Sequence, residues 1–223
     1  MTALAWFRVL GYVRSHRVFQ AFVPLVALLG VVYASRAPAG RELAALTDSA
    51  VLIVPLLAWS ARGLLDTEPD EQRLVSATAV GGRGRELGAG LLACAVVCAV
   101  FAALSLAAGL ALGVTRAPGG AELAAAVLLH ALSVATGVTL GALTSRALMP
   151  SPAVSIIALI MGFVVMLLVG TTPAYWLSVP LTAWMRSAGD ATLLADLPLL
   201  AAVSLIWCLA GIVLYAALRR SRP

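Results

Sequence analysis

Lysine is absent from this chain, and all 15 basic residues are arginine. A P-loop sets a Lys amine on nucleotide phosphates, and Schiff-base catalysis needs the same amine, so neither chemistry is carried here. Charge of either sign is scarce, at 11% of residues. The apolar runs contain no GxSxG, no HExxH and no paired carboxylates, which removes the common serine, zinc and acid hydrolases. The three cysteines are odd in number and lie within apolar runs, so no disulfide framework is implied. Cys94 and Cys98 stand four apart rather than in a metal-binding CxxC pair, and read as small packing residues. The net charge of +5 comes without a basic stripe interleaved with aromatics, which argues against nucleic acid as a partner.

Apolar length is what the chain does have. It is 62% apolar with a mean hydropathy of +1.02, far outside soluble averages. A bilayer core of about 30 Å takes roughly 20 residues per helix. Six runs meet or approach that length: about 18–34, 43–65, 87–114, 123–145, 153–170 and 194–218. The expectation is an all-α polytopic membrane protein, residues 1–223 forming a single transmembrane domain in the lipid bilayer. Pro24 and Pro55 should kink the first two helices. The second span must start near Leu43 and carry Asp48 inside its outer end, or let Arg62 snorkel at its inner end, because only 49–61 is free of charge.

Arginine placement sets the orientation. With a cytoplasmic N-terminus, 11 arginines fall in inner segments and four (Arg36, Arg41, Arg116, Arg186) outside, which puts both termini in the cytoplasm. Residues 3–17 carry Leu4, Trp6, Phe7, Leu10 and Val13 at helical spacing with Arg8, Ser15 and His16 off that stripe, and so should lie along the inner membrane surface. A basic start, an apolar run and Ala37-Pro38-Ala39 also have the outline of a secretory signal, against which stand the length of the run and the helical pattern ahead of it.

Polar residues gather in one place. Asp66, Glu68, Asp70, Glu71 and Glu86, half of the ten acids, fall within 65–88 together with Arg73, Arg83 and Arg85. The stretch reads as a short cytoplasmic helix over about 68–80. Thr67 is its expected N-cap, Pro69 sits in the first turn, the acids lie at the positive end of the dipole, and Gly81-Gly82 stop it. Leu74, Val75 and Thr78 share a side that can press into a partner, flanked by Glu71 and Arg73. The same spacing suits a solvated loop with a frayed helix.

In layout the chain resembles the ABC-2 type permeases, membrane subunits of ATP-binding-cassette exporters. That family has an amphipathic elbow helix, six spans, a cytoplasmic coupling helix between the second and third spans, and short interfacial helices before the sixth. The counterparts here are 3–17, the loop 66–86 with its helix at 68–80, and the external segment 171–190. Members often show an acidic residue, a run like Leu-Leu-x-Thr-Pro-Val-Ser-Arg, and then a Lys. Here Glu71 is followed by LVSATAVGGR, keeping Ser76, Thr78, Val80 and Arg83, but Ala79 stands where Pro is usual and no Lys follows. Those departures suit a divergent branch and leave the register of the coupling helix open.

The resemblance implies a non-enzymatic permease in the cytoplasmic membrane of a bacterium. It would hold no cofactor of its own, rely on ATP-Mg bound by a separate ABC ATPase subunit, and pair as a homodimer or as a heterodimer with a second permease. Asp70, Glu71, Arg73, Leu74, Val75 and Thr78 would then be the ATPase-coupling residues.

Within the spans, Asp48, His130 and Ser133 are the candidate pathway residues, since a polar group in lipid faces protein or water. A packed histidine and an interfacial aspartate are the plainer readings of the first two. Gly137 and Gly141 form a GxxxG spacing suited to close helix packing. Tyr175, Trp176 and Trp184 read as an interfacial aromatic belt, and Pro173 and Pro180 should divide the outer segment into two short pieces. An ATP-independent secondary transporter and a non-catalytic structural subunit are the alternatives. Paired intramembrane charges would favour the former.

Overall fold

The computed structural model describes residues 1–220 apart from the Asp70 side chain, so Arg222 lies outside the described residues. Its helices are α1 (Thr2–Arg14), α2 (Val18–Val32), α3 (Glu42–Leu52), α4 (Val54–Leu65), α5 (Asp70–Ala79), α6 (Arg83–Ala108), α7 (Gly120–Leu143), α8 (Pro152–Gly170), α9 (Leu181–Gly189) and α10 (Leu193–Arg220). A π-helical turn, Gly109–Gly113, continues α6, and a 3₁₀ turn, Tyr175–Leu177, precedes α9. No strand occurs among the described residues.

Pro55 cannot donate an amide hydrogen, and the second apolar run breaks beside it, at Ile53, into α3 and α4. The pair still runs as one 24-residue stretch, Glu42–Leu65. With α6 and its π turn, α7, α8 and α10, this makes five helices long and apolar enough to cross a membrane. Helix α2 has 15 residues and, at 1.5 Å per residue, reaches about 22 Å, short of a bilayer core. It joins the count as a sixth only when taken with α1, from which it is bent by 72°. His16, at φ 58°, turns the chain at that bend. Pro24 lies inside α2 without ending it.

The central helix is α7, packed between α3, α4, α6 and α10. Lipid tails are as apolar as leucine, so helices in a bilayer associate by fit rather than by burial from water. Fit here is tight. A Cβ on Gly137 would stand 2.5 Å from Leu57 Cβ, and one on Gly141 would stand 2.5 Å from the Ala58 carbonyl oxygen. On the other side of α7, Gly211 of α10 takes the Thr139 methyl in the same way. Cys94 and Cys98 of α6 point their thiols at the Ala61 and Leu57 carbonyls of α4, each at 3.4 Å. Threonine hydroxyls along α7 are satisfied by their own helix: Thr136, Thr139 and Thr144 each donate to the carbonyl four residues back.

The outer faces are the reverse. Ile157, Met161 and Leu168 of α8, with Ile206, Leu209 and Val213 of α10, stand exposed. Water would penalise such faces, and lipid suits them.

The connections gather at two ends. One end collects α1, the turn before α2, α5, the start of α6, the loop after α7 and the finish of α10, and it carries most of the arginines. The far end collects the α2–α3 and α6–α7 connections with α9. There Ala37 N–H donates to Gly113 O at 2.8 Å and Arg41 donates to Gly189 O at 3.1 Å. Tyr33 lies against Gly109 and Gly113, where any Cβ would fall within 2.5 Å of its ring or hydroxyl.

Three local expectations change. Trp184 is fully buried, packed among α3, α9 and α10 residues including Val51, Leu181 and Leu200, rather than standing in an interfacial belt; Trp176 is exposed. Thr67 does not cap α5, because its hydroxyl donates back to Gly63 O at 2.9 Å and Pro69 takes the N-cap position. On α1, Trp6, Phe7 and Val13 are exposed, but Arg8, off that stripe, is buried with Ala5, Val9 and Tyr12 instead of turned to water.

Candidate functional site

Glu86 lies in the first turn of α6, where the helix dipole favours a negative charge, and it is buried. A carboxylate taken from water needs partners. It has two. Arg219, from the last turn of α10, reaches both its oxygens at 2.8 and 3.0 Å. Arg8, from α1, pairs with the same carboxylate and donates to the Glu86 carbonyl at 3.0 Å. The Arg8 guanidinium also pairs with Glu68, whose other oxygen accepts from the Ser76 hydroxyl of α5. Two arginines and two glutamates therefore bind the first helix, the α4–α5 connection, α5, α6 and the last helix into one buried ionic cluster. Gly90 makes room for it, since a Cβ there would stand 2.7 Å from Arg8 Nη1.

Asp66 makes a second knot beside the first. Its carboxylate accepts the Arg146 amide at 2.8 Å and lies 3.8 Å from Arg62 Nε, while its carbonyl accepts from Arg17 at 3.3 Å. Burial raises its pKa above the ordinary aspartate value, and the Arg146 amide and the charges of Arg62, Arg73 and Arg146 pull it back in part. Arg62 also donates to the Ser155 hydroxyl, which in turn donates to Thr144 O.

Helix α5 stands on this base. Gly81 (φ 83°) and Gly82 (φ 137°) end it, the Gly82 amide returning to Ala77 O at 2.8 Å. Of the residues assigned to coupling, Leu74 (57% exposed) and Val75 (67% exposed) project from the polar end of the molecule, with Glu71 and Thr78 also exposed. Arg73 departs from that face: it turns inward and donates to Leu65 O. Asp70 opens the helix, and its side chain lies outside the described residues.

Next to α5 is a cleft of about 410 Å³. Arg73, Arg83, Arg146, Arg219 and Arg220 line it, with Glu86 the one acid among the described residues.

The residues considered for a pathway lie elsewhere. Asp48 is half-buried on α3, and no hydrogen bond or ion pair joins it to His130 or Ser133. His130 is buried with Nδ1 at 2.8 Å from Ala126 O and Nε2 without a partner. Ser133 bridges from α7 to the Ala50 carbonyl of α3 at 2.7 Å. Gly137 and Gly141 carry the α4 contact already described. Among the described residues no group of three or more His, Cys, Asp or Glu converges as metal ligands.

The sequence placed Glu68 and Glu86 in the polar stretch and Arg8 off the stripe of the first segment, but nothing in it joined them to one another or to Arg219. The available signal was Glu86 itself, an acid at the mouth of an apolar run, which requires a cation from another segment. Compared with protein-family models, with curated proteins and with solved structures, the chain matches none.

Proposed function

We propose that the chain is the permease subunit of an ABC-2 type exporter, crossing the membrane six times with both termini cytoplasmic. On this reading α1 is the elbow on the inner surface, α2 the first span, and α5 the coupling helix. A separate ATPase supplies ATP-Mg chemistry, and a second permease completes the translocation path. One observation carries the reading: α5 holds two apolar side chains, Leu74 and Val75, out into solvent at the charged end. Exposed apolar residues ringed by charge suit a protein contact. The base of α5 is tied through Ser76 and Glu68 to Arg8, and thence to Glu86 and Arg219. A push on α5 would therefore reach α1, α6 and α10 together.

The test replaces Leu74 and Val75 with Asp, which buries no charge in the permease itself. ATPase co-purification and transport-linked hydrolysis should fall to background while membrane insertion and thermal stability stay unchanged. Normal binding and transport by that variant would reduce α5 to a solvated loop and remove the reading. An ATPase gene beside this one is the cheaper first check.

A further inference from the structure

The cleft beside α5 has more cationic charge than its own acid accounts for. Its one carboxylate among the described residues, Glu86, is committed to Arg8 and Arg219. Arg83, Arg146 and Arg220 are exposed and make no ion pair with any described residue, although they converge on one cavity from the start of α6, the loop after α7 and the end of α10. Three cations drawn from three segments leave a site for an anion. Arginine forks match phosphate oxygens, two donors at a time.

The surroundings say which anion. The cleft wall also carries Leu74, Leu87 and Pro150, so it is polar at the arginines and apolar beside them. The last turns of α10 that supply Arg219 and Arg220 expose Leu218 and Leu214, and α8, which starts just after Pro150, exposes Val154 and Ile157. A free phosphate has no use for such neighbours. A phospholipid does, with its phosphate among the arginines and its acyl chains along the exposed faces of α8 and α10. Basic cavities between helix ends at a charged membrane surface are suited to anionic headgroups.

We propose that this cleft binds the headgroup of an anionic phospholipid, held by Arg83, Arg146 and Arg220. The site requires a membrane but no ATPase, so it stands or falls apart from the permease reading.

The experiment uses the full chain, purified in a neutral detergent and stripped of lipid. Phosphatidylglycerol and phosphatidylcholine of identical acyl chains are titrated in, and retained lipid is counted by native mass spectrometry. Wild type should prefer the anionic lipid by about tenfold or more. Arg83→Gln/Arg146→Gln/Arg220→Gln should cut the preference to about twofold or less, whereas the triple Lys variant should keep most of it. Arg36→Gln/Arg116→Gln/Arg186→Gln removes equal charge at the far end and should leave the preference intact. All three cleft residues are exposed, so unchanged melting of the Gln variant is expected to accompany its loss of lipid. Equal retention of both lipids by wild type, an undiminished preference in the Gln variant, or displacement of the lipid by millimolar inorganic phosphate would each overturn the assignment, the last by making the cleft a site for soluble phosphate.

Discussion

Arg219 closes on Glu86 across 133 residues of chain, with contacts of 2.8 and 3.0 Å, and so fastens the end of the last helix to the start of α6. Arg8 takes the other side of the same carboxylate. Removing one partner of a buried pair leaves an uncompensated charge and costs about 3–5 kcal/mol. Glu86→Gln should therefore lower the melting point of the purified protein markedly. Glu86→Gln/Arg219→Gln should be less unstable than the sum of the two single changes. Strict additivity in that double-mutant cycle would mean the pair is not coupled.

Gly141 sets the distance between α7 and α4. Its absent Cβ would collide with a backbone oxygen, which cannot swing aside as a side chain can. Gly141→Leu should destabilise by about 3 kcal/mol or prevent folding outright. Gly30→Ala, on a helix position with nothing within 4 Å, should be close to neutral or slightly stabilising. Monodispersity in detergent separates the two, and equal behaviour would refute the packing described for α4 and α7.

Asp66 predicts a slope with pH. Its folded pKa is raised, so the folded protein holds that proton to a higher pH than the unfolded chain does. The stability contributed by the proton is complete below the ordinary value of about 3.9 and declines as pH rises through the window up to the raised value. Asp66→Asn cannot titrate. The wild-type melting temperature should therefore drop relative to the Asn variant as pH climbs from about 4, and parallel curves would show that the carboxyl ionises as it does in solvent.

Topology reporters provide the fourth check. Fusions at Pro118 and Gly189, both at the far end, should report the outside, and a fusion after Arg220 should report the cytoplasm. An internal signal from Pro118 or Gly189 would reverse or reduce the count of crossings.

Periodicity and composition made the helices legible because a span announces itself by length alone. The run from Arg83 to Gly113 could scarcely be anything else. Partners were harder to see. Arg8 sits in a segment whose apolar residues suggest a membrane-facing stripe with arginine turned to water, yet it is turned inward because Glu68 and Glu86 lie there, 60 and 78 residues away. Nothing local encodes that. Trp184 misled for a related reason: an indole near a membrane surface reads as a belt residue until the short helix carrying it is seen to fold back over α3. Val18–Val32 shows the limit of counting apolar residues: the run at 18–34 promised a span, yet its helix stops at Val32 after 15 residues.

The buried ionic cluster also imposes an order on biosynthesis. While the chain is being made, Arg8, Glu68 and Glu86 emerge early and can meet with one guanidinium facing two carboxylates, so that corner holds an excess negative charge. Neutrality waits for Arg219, at the close of the final helix. Until then α1 and α6 share a half-made joint, and the arrival of α10 is the event that locks it.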